Sequence, residues 1–151
     1  MSYIVVGVVM WGRKRGFLKM FTIQNDEEII EKLHSHLINE FPRLKFKIKI
    51  PLKILFPKPE NKWLQSFWNN NSHADVAVFR HNKLVCIIEP GGWHHAKDKK
   101  QKVRDSKKDK ICQQNGINCL RIFNNVVNSD LDKPIFRKLL KKNFYGGVRC
   151  G

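Results

Sequence analysis

The sequence predicts a mixed α/β fold organised around one sheet, and three features carry that prediction. Two nearly all-apolar runs, Ala74-Asp75-Val76-Ala77-Val78-Phe79 and Leu84-Val85-Cys86-Ile87-Ile88-Glu89, read as strands covered on both faces. Ile29, Ile30, Leu33 and Leu37 recur at helical spacing. A strongly Lys-rich segment after Pro90-Gly91-Gly92 then leads into another apolar run, so strand-like and helix-like pieces alternate along the chain.

In order, residues 3–10 and 17–23 read as a β-hairpin around the basic turn Trp11-Gly12-Arg13-Lys14-Arg15-Gly16. Asn25 or Asp26 caps a helix to about Phe41, with acids in its first turn and Pro42 at its end. Leu44-Lys45-Phe46-Lys47-Ile48-Lys49-Ile50 alternates apolar with lysine, as a half-exposed strand with one basic face does. Pro51, Pro57 and Pro59 break up 51–73, an irregular insertion in which a short helix is allowed. Its aromatics Trp63, Phe67 and Trp68 suit either core packing or stacking on bases.

His81-Asn82 lies between the two apolar strands, and Pro90-Gly91-Gly92 breaks the chain after them. A basic helix over about 96–115 ends at Gly116, Ile117–Phe123 returns as a strand, and about 131–142 is a final helix with Pro134 in its first turn. There are no internal repeats. We expect one domain over 1–151, with a hairpin extension at 1–23, a core at 24–127 and a C-terminal helix and tail at 128–151.

Lys and Arg total 29 against 13 Asp and Glu, a formal net charge of +16. Such a surplus attracts polyanions, nucleic acid first among them, although a Lys-favouring genome raises the same count. No apolar run approaches the ~18–20 residues of a membrane span. The stretch Ile4–Met10 is too short and lacks a basic leader and a small-residue cleavage site, so no signal peptide and a cytoplasmic protein are expected, nucleoid-associated in a prokaryote. Cys86, Cys112, Cys119 and Cys150 form no CxxC pair, which points away from zinc and disulfides.

Acids are scarce, and Asp75 and Glu89 are the two that fall within apolar strands. Counting back from a two- or three-residue turn puts residue 75 opposite 88 or 89, so their carboxylates are cross-strand neighbours to within one position. Two like charges at that spacing beside a core call for compensation, which a divalent cation such as Mg²⁺ or Mn²⁺ supplies. The plainer reading makes each a strand-end turn residue. His94 and His95 follow the glycine break, where they are placed to pass protons or ligate metal, or simply to face solvent. Asp98 and Asp105 lie on one face of the basic helix with Lys108 one turn further on, a pattern that intrahelical ion pairs also produce.

These pieces stand in an ordered series: Glu27-Glu28, Leu44-Lys45-Phe46, Ala74-Asp75-Val76, Glu89-Pro90-Gly91-Gly92-Trp93-His94, Asp105-Ser106-Lys107-Lys108, and Gly116-Ile117-Asn118-Cys119-Leu120-Arg121-Ile122-Phe123-Asn124-Asn125. From about residue 25 to 127 the series resembles the small nucleases of the PD-(D/E)XK superfamily, especially the group similar to very-short-patch repair endonucleases. That resemblance implies a restriction-endonuclease-like core, here with an added N-terminal β-hairpin. It implies Asp75 and Glu89 as ligands of Mg²⁺ or Mn²⁺ and His94 or His95 as an active-site histidine. Glu28, or Glu27, would be a further acid, Asp105 a supporting residue, and Arg121 a structural or phosphate-facing one. The chain departs from the pattern at Gly91, where an Asp or Lys belongs, and Lys108 is the candidate to replace that side chain.

The expectation is therefore a metal-dependent endonuclease that hydrolyses phosphodiester bonds of DNA, with a homodimer as one allowed assembly. A nucleic-acid-binding subunit that keeps the fold without efficient cleavage is the alternative, and a basic protein–protein adaptor is the third.

Overall fold

A computed structural model describes residues 5–11, 17–23, 26–91 and 98–146. Strands β1 (Val5–Trp11) and β2 (Phe17–Ile23) pair antiparallel as a separate two-stranded sheet. The hairpin expected there is present, and most of its basic turn lies outside the described residues.

The main sheet has four strands in the order β3 (Lys45–Pro51), β4 (His73–Arg80), β5 (Lys83–Gly91), β6 (Asn118–Phe123). The first two pairings are antiparallel and the last is parallel, so the sheet is mixed. Between β5 and β6 the chain crosses over through helix α4 (Lys99–Gln114), as parallel neighbours require.

His81 and Asn82 both take positive φ, 51° and 63°, and so make the two-residue turn that suits the twist of an antiparallel pair. Beyond it the pairing shifts: Phe79 faces Leu84, but Val78 faces Cys86, leaving Val85 as an extra residue on β5. Without this bulge a two-residue turn would set Asp75 opposite Ile88. With it, Val76 faces Ile88, and Asp75 and Glu89 are the next residues outward on their strands. A one-residue slip turns every side chain to the other face, so the bulge decides whether the two carboxyls meet.

Helices cover both faces of the sheet. Helix α1 (Asp26–Glu40), α5 (Asn124–Ser129) and α6 (Pro134–Tyr145) bury Ile29, Leu33, Leu37, Val127, Leu140 and Phe144 against Val76, Val78 and Ile88. Phe144 meets Phe41 edge-on at 5.1 Å and Phe46 at 5.9 Å, tying α6 to the end of α1 and to β3. On the opposite face, α2 (Leu52–Leu55), α3 (Lys62–Asn69) and α4 close a second cluster of Leu52, Leu64, Phe67, Ile87 and Ile111.

Several expectations shift here. The insertion holds two helices, α2 and α3, packed through Leu52, Leu64 and Phe67. Helix α4 starts later than about residue 96, because Asp98 is its cap and accepts a hydrogen bond from the Lys100 N–H at 2.9 Å. Helix α6 runs 134–145 rather than 131–142, since Pro134 takes the first helical position and Leu131 is buried ahead of it. The short α5 had no sequence signal of its own.

Gly116 ends α4 at φ +67°, with nothing among the described residues within 4 Å of where a β-carbon would stand. Gly116→Ala is therefore expected to cost about 1–2 kcal/mol through backbone conformation alone. Urea unfolding checks this: the midpoint falls and the slope stays unchanged. Among the described residues, no helix is long and apolar enough to cross a membrane.

Candidate active site

Asp75 and Glu89 face each other at one end of the central strand pair, on the side covered by α4. Their carboxyls share a hydrogen bond. Lys108, reaching down from α4, donates to Glu89 Oε1 at 2.9 Å and to the His73 carbonyl oxygen at 2.8 Å. His73 stands two residues before Asp75 on the same strand, with Nε2 3.5 Å from Asp75 Oδ1. The Glu89 side chain is 8% exposed, that of Lys108 14% and that of Asp75 20%. This is a nearly buried lysine–carboxyl contact with a second carboxyl at its solvent edge.

A second layer orients the helix that carries Lys108. Arg121 lies opposite Glu89 in the parallel β5–β6 pair. Its guanidinium bonds Asp105 Oδ1 at 3.2 Å, Asp109 Oδ1 at 2.7 Å and the Asp105 carbonyl oxygen at 3.1 Å. Gln101 donates to Asp105 at 2.9 Å from one turn earlier. Asp105 and Asp109 bracket Lys108 along α4, so this clamp fixes the turn from which the lysine projects.

Burial dominates the electrostatics. It pushes the Glu89 carboxyl up to about 8, helped by the negative charge of Asp75 and opposed by Lys108. Burial acts the same way on Asp75, but the hydrogen bonds from His73 and Glu89 and the charge of Lys108 outweigh it and hold Asp75 below the ordinary carboxylate range. Lys108 loses some basicity to burial and regains more from Glu89, ending above its usual value. Asp75 is the ionised member and accepts a proton held on Glu89, because the more deeply buried group is the costlier one to charge.

Two adjoining cavities of about 260 and 300 Å³ open over the pair and share Asp26, Gln101, Asp105 and Lys108 in their walls. Glu89 and Arg121 line the first. Asp75, His73, Glu27, Lys49 and Arg104 line the second.

The structure thus brings together Asp75, Glu89, Asp105 and Lys108. Glu28 is exposed and does not line either cavity; half-buried Asp26 lines both, and Glu27, itself exposed, lines the rim of the second. His94 and His95 lie outside the described residues. Gly91 is half-buried, and a β-carbon there would meet nothing within 4 Å among the described residues, so none of them excludes a side chain. The Lys108 ammonium approaches the pair from the helix instead.

Sequence reasoning missed His73 and Lys49. Period-two spacing from Asp75 would have found His73. Lys49 bonds Glu27 at 2.7 Å and takes φ +51° within β3, a conformation its residue type gives no hint of.

An oxygen-donor pair of this kind suits a hard cation, and Asp75 and Glu89 are the residues to hold one. No group of three or more His, Cys, Asp or Glu set to ligate a metal occurs among the described residues.

Comparison with curated proteins and with solved structures gives no match. One family model, described as "Protein of unknown function (DUF2726)", matches residues 23–139. That span runs from the end of β2 into α6 and contains every site residue named above. The chain belongs to the DUF2726 family.

Proposed function

We propose that this protein is a metal-dependent endonuclease that hydrolyses DNA phosphodiester bonds, on a restriction-endonuclease-like core of the PD-(D/E)XK kind. The observation that carries the reading is the buried Asp75–Glu89 carboxyl pair with the Lys108 ammonium on it, at the foot of a cleft beside a strongly basic helix. Burying two carboxyls and a lysine at one strand end costs several kcal/mol against an apolar alternative, so the constellation is poor as a stability device alone.

In this reading Asp75 and Glu89 hold Mg²⁺ or Mn²⁺, which uses one or two carboxylates and keeps several waters. When bound, that ion supplies an activated water and stabilises charge on the phosphate. Lys108 neutralises charge beside the reacting phosphate, as the side chain missing at Gly91 would. Lys49 and Arg104 line the same cleft and hold flanking phosphates by charge. Arg121 fixes the helix turn that bears Lys108.

The test is cleavage of plasmid, single-stranded and branched DNA in Mn²⁺ by wild type and Asp75→Ala. A loss greater than about 100-fold is expected in the variant, beyond what removing a residue that merely supports a metal ligand costs. Mn²⁺ should also raise the melting temperature of wild type, with a saturating site adding about 2.7 kcal/mol at a hundred times its Kd. Equal cleavage by both proteins sinks the proposal.

One observation favours a second reading, an inert nucleic-acid-binding subunit. Lys108 already occupies Glu89 Oε1, and no third ligand joins the pair among the described residues. That reading expects salt-sensitive DNA binding indifferent to both Mg²⁺ and Glu89→Ala.

A further inference from the structure

Away from the cleft, α4 presents a different stripe. Lys107, Lys110 and Gln114 follow one another at spacings of three and four, so they share one face of the helix. Opposite them stands the start of α3. Trp63, 41% exposed, has the Lys107 ammonium 4.9 Å and the Lys110 ammonium 4.8 Å from its ring centre. The other two aromatics of the insertion are spent on packing: Phe67 is buried, and the Trp68 indole donates to the Phe56 carbonyl at 3.0 Å. Of the three, Trp63 is the exposed one.

The platform is held in place. Asn61 caps α3 by accepting the Trp63 N–H at 2.8 Å. Gln65 ties back to the Pro59 and Glu60 carbonyls at 2.9 and 3.1 Å, fixing the loop ahead of the cap. Beside the tryptophan the surface drops into an open depression of about 720 Å³, walled by Lys58, Lys62, Asn61, Gln114 and Asn115, with Glu60 its single acid. Cations and side-chain amides line this depression, and the exposed indole with Lys107 and Lys110 stands at its edge, next in sequence to Lys62.

We propose that this groove binds an unpaired nucleic-acid strand, with a base stacked on Trp63 and phosphates on Lys107, Lys110, Lys58 and Lys62. The inference rests on the reading of the protein as a nucleic-acid-acting one and adds the form of its substrate. The occupant is an anion by charge, since the lining cations outnumber the one acid. It is single-stranded by shape, since only an unpaired base exposes a face to an indole. Lys107 neighbours Lys108, so a strand leaving the cleft reaches the groove by passing round α4. A helix with side chains is about 10–12 Å across, which a stacked strand rising about 3.4 Å per nucleotide spans in roughly three nucleotides. The preferred substrate is then a duplex with a frayed or single-stranded arm.

The test is fluorescence anisotropy with a labelled oligothymidylate, and with a blunt duplex of the same length, in EDTA so that nothing is cut. Wild type, Trp63→Ala, Trp63→Phe, Lys107→Gln/Lys110→Gln and Asp75→Ala are compared after circular dichroism confirms folding. Trp63→Ala should weaken single-strand binding about tenfold or more, Trp63→Phe should recover most of it, and the duplex should be affected far less. The double lysine variant should flatten the salt dependence by one to two phosphate contacts, about 0.7 each in slope. If wild type binds but Trp63→Ala matches it, or weakens strand and duplex alike, the groove is wrong while nucleic-acid binding stands. If wild type binds neither probe at moderate salt, the groove and the proposed function fall together.

Discussion

Replacing Lys108 with methionine is expected to cost about 3–5 kcal/mol of stability and to abolish cleavage. The stem of methionine fills most of the volume the lysine leaves, so the loss is electrostatic rather than a cavity effect. Two hydrogen bonds disappear, one to Glu89 and one to the His73 carbonyl, and two nearly buried carboxyls remain without their cation. Glu89 then keeps its proton over a wider pH range, because the one group that favoured its charged form has gone. Guanidinium unfolding of both proteins measures the cost. Lys108→Arg is the informative control: it keeps the charge, but its planar fork cannot reproduce a point contact to two acceptors in this space. A variant that unfolds at the wild-type midpoint would show that the pair contributes nothing net, and that Lys108 is dispensable to the fold.

Much of this arrangement is legible in the sequence because it follows from periodicity. The two apolar runs around His81-Asn82 could only be paired strands, and the acids at their far ends had to lie near each other. The spacing of Ile29, Ile30, Leu33 and Leu37 fixes the buried face of α1 in the same way. The alternation of Leu44–Ile50 holds only for Leu44 and Phe46, since Ile48 is 37% exposed and Ile50 half-buried toward the far end of β3. What periodicity does not reveal is a single inserted residue. Nothing about Val85 marks it as a bulge, yet it sets Glu89 rather than Ile88 against Asp75. Turn counting alone left those two alternatives equal. Helix phase was likewise visible only to within one residue at the start of α1, where Asp26 and Glu27 line the cleft and Glu28 does not. Lys108 was reachable by arithmetic, one turn after Asp105, but its contact with Glu89 depends on the angle at which α4 crosses the sheet. Ile111 and Cys112 pack α4 on the sheet and Arg121 bridges Asp105 and Asp109, tertiary contacts with no local signature.

Glu89→Gln is expected to act in the opposite sense to Lys108→Met on the metal-free protein, and this contrast separates a site from a structural ion pair. The amide oxygen still accepts from Lys108, the amide nitrogen still donates to Asp75, and Lys108 retains the charge of Asp75 beside it. The variant loses only the ability to ionise. In wild type that ability is a liability: burial raises the carboxyl from 4.5 to about 8, so the folded state holds a proton that the unfolded chain releases. Stability from this group is therefore complete below pH 4.5 and declines as pH rises toward 8. Glu89→Gln removes the decline. In EDTA it should match wild type at acid pH and exceed it by an amount that grows with pH, on the order of several kcal/mol at the top of that window. In Mn²⁺ the order should reverse, because an amide is a far poorer ligand for a hard cation than a carboxylate, and the metal-dependent rise in melting temperature should vanish along with cleavage. A purely structural pair gives another pattern: Glu89→Gln would lose stability in both buffers, and neither protein would respond to Mn²⁺. The two melting curves, each with and without the ion, decide between a carboxylate kept for chemistry and one kept for the fold.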